Sequence, residues 1–156
     1  MENIVDELIL SNKTISTMES CTGGFVASSI TNISGSSKVF KFGAVTYSNE
    51  YKIRMGVNED VINDYSVYSI ETAKEMSKKI SDFTNSDYGV GVTGTINEID
   101  PNNISKSISK VYLSVYIKSS DEYLTKCINT IKASRIDNKE YITKNIVEML
   151  RSVLWK

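Results

Sequence analysis

Apolar residues recur along this chain with two periods, and the periods sort it into helices and strands. Ile4 to Leu10 has the three-and-four spacing of an opening helix, and Thr14 to Met18 is a β-prone run. A second helix is expected from about Gly23 to Thr31, and Val39 to Tyr47, rich in β-branched and aromatic residues, reads as the next strand. Ser48 is placed to cap a two-turn helix over Asn49 to Met55, closed by Gly56, and Asn58 to Tyr65 suggests another short helix. Ser69 precedes an amphipathic helix whose apolar face is Ile70, Ala73, Met76, Ile80 and Phe83.

Tyr88 to Thr93 is a short apolar strand running into Gly94, followed by a polar loop from Thr95 to Ser109 that holds the only proline, Pro101. Val111 to Ile117 and Tyr123 to Ile131 flank Ser119-Ser120-Asp121-Glu122, the pattern of an antiparallel hairpin. Asp137 or Asn138 can cap a last helix with Ile142, Ile146, Met149, Leu150, Val153 and Leu154 on its apolar face. Strands alternating with helices, then one hairpin, predict an α/β fold: a single three-layer α/β/α sandwich on a mixed sheet spanning residues 1–156.

Composition narrows the function. The 18 basic and 19 acidic residues are scattered and leave a net charge of −1, so neither a nucleic-acid footprint nor a membrane-binding patch is predicted. A small-molecule partner fits better. There is no apolar run of membrane-span length, and the acidic opening lacks the basic start of a signal peptide, so a cytoplasmic protein is expected. Cys21 and Cys127 have neither the number nor the spacing of a disulfide framework or zinc site and are expected as free thiols.

The chain contains no histidine, which excludes every Ser-His and Cys-His mechanism. Yet Glu19-Ser20-Cys21-Thr22-Gly23-Gly24 follows the first strand as a strand-to-helix elbow would. In folds of this class ligands gather beyond the carboxyl ends of the strands. Three such ends carry hydroxyls or glycines: Ser20 to Gly24, Tyr47 to Lys52, and Thr93-Gly94-Thr95. The glycine pair permits close backbone approach, and amides at the following helix start could stabilise a phosphate or an oxyanion, although such a turn also serves as a plain tight connection.

Ser20 as a nucleophile would need a lysine, tyrosine, carboxylate or metal to take its proton. Lys52, one turn into the helix after Tyr47, is the favoured base, provided its surroundings lower its proton affinity; otherwise it is a solvated helix lysine. Tyr47 could relay a proton or hold the lysine, or simply pack. Cys21 is a rival nucleophile that ranks below Ser20, because a thiol without a histidine beside it is commonly a small buried residue.

Thr17 to Gly24, Gly35-Ser36-Ser37, Gly43 to Lys52, Gly56-Val57 and Val92-Thr93-Gly94 together resemble the nicotinamide-nucleotide amidases, the domain that also forms the C-terminal part of CinA proteins. The resemblance spans nearly the whole chain. It implies hydrolysis of the carboxamide of nicotinamide mononucleotide to nicotinic acid mononucleotide and ammonia in pyridine nucleotide salvage, with no metal or cofactor and with a homo-oligomeric assembly. Carried over, Ser20 resembles the nucleophile, Lys52 the general base and Tyr47 a supporting residue. Cys21, Thr22, Gly23, Gly24, Thr93 and Gly94 then resemble the pocket wall.

The chain also departs from that pattern. A glycine-rich loop is replaced by Thr95-Ile96-Asn97-Glu98-Ile99-Asp100-Pro101, and a downstream Lys-Pro-Val-Gly-Thr-Val by Lys106 to Val111. The usual Gly-Asp-Arg before the last helix gives way to Asp137-Asn138-Lys139 or, with a small shift, to Ser134-Arg135, making Arg135 the candidate for a phosphate. These changes keep open a different amide substrate, or a non-catalytic role in binding a ligand or partner.

Overall fold

The computed structural model describes residues 1–97, 109–131 and 133–155, so most of the expected Thr95 to Ser109 loop lies outside the described residues. In chain order the elements are α1 (Glu2–Leu10), β1 (Ile15–Glu19), α2 (Phe25–Thr31), a 3-10 turn (Ser36–Lys38), β2 (Phe40–Val45), α3 (Asn49–Arg54), α4 (Glu59–Tyr65), α5 (Ile70–Thr84), β3 (Tyr88–Gly94), β4 (Lys110–Ile117), β5 (Glu122–Asn129) and α6 (Arg135–Leu154). The expected helices and strands are all present, with shifted ends.

The caps explain most of the placements. Ser48, Asn58 and Ser69 each accept a backbone amide from the first turn of the helix that follows. The last helix starts earlier than the Asp137 or Asn138 cap would put it. Ser134 is the N-cap, and Asp137 closes a reciprocal capping box from the third helical position. Gly23 (φ 61°) and Gly24 (φ 90°) are left-handed and form the turn, so α2 begins only at Phe25.

The sheet has the order β2-β1-β3-β4-β5. β1 runs parallel to both neighbours, whereas β3, β4 and β5 are successively antiparallel. The chain therefore leaves β1 in one direction to form β2 and crosses back over it to form β3. Right-handed crossovers in opposite directions must lie on opposite faces. Accordingly α2 joins α1 and α6 on one face, around Ile4, Leu8, Val26, Ile30, Ile142 and Ile146. The other face holds α5 over Met18, Val67, Met76 and Ile80.

Helix α5 lies almost directly on β3. A Cβ at Gly89 or Gly91 would overlap the backbone carbonyls of Ser77 and Ala73 respectively, so both positions need the bare backbone. Small hydroxyls complete that contact, with Ser77 Oγ 2.8 Å from Ser114 Oγ. Phe83, expected on the buried face of α5, is instead exposed at the helix end and packs its ring against Phe42 of β2, 5.4 Å between centroids. No helix among the described residues is long and apolar enough to cross a membrane.

Candidate active site

The topology puts the carboxyl ends of β1, β2 and β3 side by side, with β1 at the point where the strand order reverses. That is where a crevice opens in such sheets. Ser20 lies directly beyond β1, and its amide continues the pairing by donating to Val92 O at 2.9 Å. Alternation along a strand turns consecutive side chains to opposite faces. Glu19 thus turns towards α2, and Ser20 towards the face that carries α3 and α5.

Each side chain meets a specific partner there. The Glu19 carboxylate is fully buried and accepts from Val26 N at 3.0 Å and Ala27 N at 2.8 Å. It fills the start of α2, so those two amides are not available to a ligand, contrary to the expectation from the helix start alone. Ser20 Oγ lies 3.2 Å from Lys52 Nζ, a contact between residues 32 apart in sequence. Lys52 is only 1 % exposed, and its Nζ also donates to Thr46 O at 2.8 Å. Thr46 in turn donates its amide to Glu19 O at 2.8 Å, which ties the lysine's anchor to the end of β1.

The elbow backbone supplies further donors. Gly23 N donates to Ser20 O and Phe25 N to Thr22 O, closing the turn on itself. The amides of Cys21, Thr22 and Gly24 take no part in those bonds and are the donors closest in sequence to Ser20 Oγ. Thr22 Oγ1 and Thr46 Oγ1 are buried with no hydrogen-bond partner among the described residues, leaving polar capacity in the elbow and at the residue whose carbonyl holds Lys52.

Cys21 is buried, and that burial pushes its thiol up to about 12 from an ordinary 9.0; its own backbone amide and the charges of Lys52 and Arg135 pull the other way but do not prevail. At neutral pH it is a thiol, and thiols are poor nucleophiles. Thr93 is buried, with its hydroxyl donating to Val67 O at 2.8 Å, so that side chain anchors the loop before α5. Gly94 passes so close to Lys110 O that a Cβ there would clash.

Tyr47 is two-thirds exposed, and its hydroxyl accepts from Arg135 Nη2 at 3.5 Å. The other guanidinium nitrogen, Nη1, donates to Ile96 O at 2.5 Å. Arg135 therefore bridges the ends of β2 and β3 from the first position of α6. One turn along, Lys139 reaches the glycine turn, its Nζ 3.6 Å from where a Cβ on Gly23 would stand. Sequence reasoning assigned no role to Glu19 or Thr46, and named Lys139 only within Asp137-Asn138-Lys139, one of two segments standing where the resemblance expects Gly-Asp-Arg. Glu19 could have been found from strand parity, and Lys139 from its place four residues after Arg135. The carbonyl of Thr46 has no sequence signal.

Comparison with known proteins gives a consistent picture. A family model described as the CinA C-terminal domain matches residues 1–154. A Clostridium beijerinckii protein named for competence and damage induction is 39 % identical over 158 residues, covering 100 % of this chain and 38 % of its own length. A CinA-like protein of Endomicrobium trichonymphae is 36 % identical over 157 residues, covering 99 % of this chain and 36 % of its own. The chain thus spans less than two fifths of these relatives. Among solved structures, the competence/damage inducible protein CihA of Agrobacterium tumefaciens superposes with a TM-score of 0.84 at 26 % identity, covering 99 % of this chain and 95 % of that one. A CinA superfamily protein of Klebsiella pneumoniae has the same fold, with a TM-score of 0.89 at 19 % identity over 98 % of this chain and 94 % of that one.

Proposed function

The chain belongs to the CinA C-terminal domain family, and on that premise we propose that it is a cytoplasmic serine amidohydrolase that cleaves the carboxamide of nicotinamide mononucleotide. The observation that carries this reading is the buried 3.2 Å contact between Ser20 Oγ and Lys52 Nζ, within the reach required of a nucleophile and its base. Desolvation works against the ammonium form of a lysine, which is the direction general-base chemistry needs.

Neutral Lys52 takes the Ser20 proton as Oγ attacks the carboxamide carbon. The resulting oxyanion is stabilised by backbone amides of the elbow, where Cys21 N and Thr22 N follow the nucleophile directly. The Lys52 ammonium then returns a proton to the departing nitrogen, which leaves as ammonia. Water attacks the acyl ester with Lys52 again as base, releasing nicotinic acid mononucleotide and restoring Ser20. No step calls for a metal. Thr46 O acts through Lys52, holding Nζ in line with Ser20, and is a positioning group.

Ammonia release from nicotinamide mononucleotide tests this directly. Ser20→Ala and Lys52→Ala should each lower the rate by at least about 100-fold, the scale set by losing a general base, with the far-UV spectrum unchanged. Lys52→Arg should not restore activity, since a guanidinium stays protonated. Turnover in both alanine variants would overturn the assignment.

A further inference from the structure

Three threonine hydroxyls, at Thr17, Thr22 and Thr46, are buried with no hydrogen-bond partner among the described residues. A buried hydroxyl left unpaired costs stability, so each needs a reason to be there. Strand alternation separates two of them. Thr17 shares the face of Glu19, two residues on, and its Oγ1 lies 2.7 Å from where a Cβ on Gly43 would stand, beside Ala27 of α2. That face is away from Ser20. Val45, the partner of Glu19 in the β1–β2 ladder, turns towards the glycine elbow, its Cγ2 3.3 Å from where a Cβ on Gly24 would stand. Thr46, next in the chain, therefore turns to the face of Ser20. Its amide continues the ladder to Glu19 O, which sets Thr46 alongside Ser20, and its carbonyl holds Lys52 Nζ at 2.8 Å. The unpaired hydroxyl thus belongs to the β2 side of Ser20, with the base, whereas the elbow amides lead from β1 into α2.

We propose that Thr46 Oγ1 accepts a hydrogen bond from the amino group of the scissile carboxamide and turns that nitrogen towards Lys52. The inference rests on the amidase reading and names a substrate contact which that reading leaves out. Attack by Ser20 sends the two ends of the carboxamide to different places. Its oxygen becomes the oxyanion and goes to the elbow amides. Its nitrogen has to reach Lys52, which supplies the proton as the C–N bond breaks and the bonding pair departs with ammonia. Thr46 carries the unpaired hydroxyl on that side. A primary amide has two N–H donors, so Thr46 can hold one while the nitrogen lone pair, freed from conjugation in the tetrahedral intermediate, takes the lysine's proton. The leaving oxygen of an ester has no N–H and gains nothing from an acceptor there. Thr46 thus favours amides over esters, and its hydroxyl is kept at a cost in stability because the reaction uses it.

Two matched substrates separate this contact from a structural role: nicotinamide mononucleotide, read by ammonia, and the methyl ester of nicotinic acid mononucleotide, read by methanol. Thr46→Val should lower the ratio of amide to ester turnover by about tenfold or more, the effect of one hydrogen bond lost at a reacting group, and Thr46→Ser should restore most of it. Thr17→Val, which removes the unpaired hydroxyl on the other face, should leave the ratio as it is, and both valine variants should keep or raise the urea midpoint. Thr46→Ala takes the place of Thr46→Val if the added methyl disturbs folding. An unchanged ratio in a folded Thr46 variant overturns the contact and leaves the amidase reading standing. Wild-type protein that releases no ammonia rejects the amidase reading, and the contact is then read on Ser20→Ala by equilibrium binding of nicotinamide mononucleotide. Binding weaker by about threefold or more when Thr46→Val is added upholds the contact, and equal or absent binding overturns it.

Discussion

Cys21 directly follows Ser20, the proposed nucleophile, and only its surroundings separate the two candidates. A thiol next to a helix start reads from sequence as a possible thiolate. Burial reverses that and holds the proton on sulfur up to about 12. Iodoacetamide at pH 8 should therefore modify exposed Cys127 readily and Cys21 only after unfolding, as peptide mass mapping would report. The same shift has a stability consequence. Because the folded thiol ionises above the unfolded one, Cys21 contributes stability that is complete below pH 9 and is lost as pH rises through about 12. Denaturant midpoints of wild type should fall relative to Cys21→Ala across that alkaline window, and parallel curves would refute the burial argument. Lys52 was legible as a candidate base because a chain without histidine leaves few alternatives; that it is buried against Ser20 was not.

The first strand and the second helix are coupled through one side chain. Glu19 ends β1 and satisfies two amides at the start of α2, a helix of 7 residues too short to be stable on its own. Removing that carboxylate leaves the buried Val26 amide unpaired, at about 1 to 3 kcal/mol, and the part-buried Ala27 amide unpaired at about 1 kcal/mol. Glu19→Ala should thus lower the unfolding free energy by about 2 to 4 kcal/mol in urea titration, and Glu19→Gln by less, since its amide oxygen can still accept one bond. A loss below about 0.5 kcal/mol in Glu19→Ala would mean that water replaces the carboxylate. At this scale the hydrophobic periods located the elements well. They misjudged ends where a side-chain bond decides, as at Ser134, whose capping box starts α6 ahead of Asp137. Phe83 has the right period for the core but falls at the last turn of α5, where it stays exposed and meets Phe42 on the edge strand β2.

Across the molecule, Asp87 fastens the end of the sheet opposite the site. It accepts from Lys13 Nζ, Thr14 N and Thr14 Oγ1, joining the entry to β1 with the entry to β3. Burial works to raise its carboxyl, yet these bonds together bring it below the ordinary value of 3.8. Asp87 therefore stabilises the fold above about pH 4, and the contribution is lost as pH falls through its depressed folded value. Asp87→Asn should be less stable than wild type near pH 7 by about 1 kcal/mol, a value kept small because the Lys13–Asp87 pair is partly exposed. The two stability curves should converge on acidification, and a constant gap would show that the charge is immaterial.

What the sequence determined by itself is the inventory: α/β class, element order, the antiparallel hairpin, a serine at a strand-to-helix elbow, and the absence of histidine that leaves a lysine as the candidate base. These follow from local period, turn chemistry and composition, which need no knowledge of what lies across the sheet. The tertiary structure decided which of these residues meet. Only the order β2-β1-β3 brings Lys52 to Ser20 and sends Glu19 to the opposite face, and only the packing of α6 brings Arg135 to Ile96 and Tyr47 and Lys139 over Gly23. Contacts between residues 32 or more apart depend on the sheet order and on helix docking, and neither leaves a periodic trace in the chain.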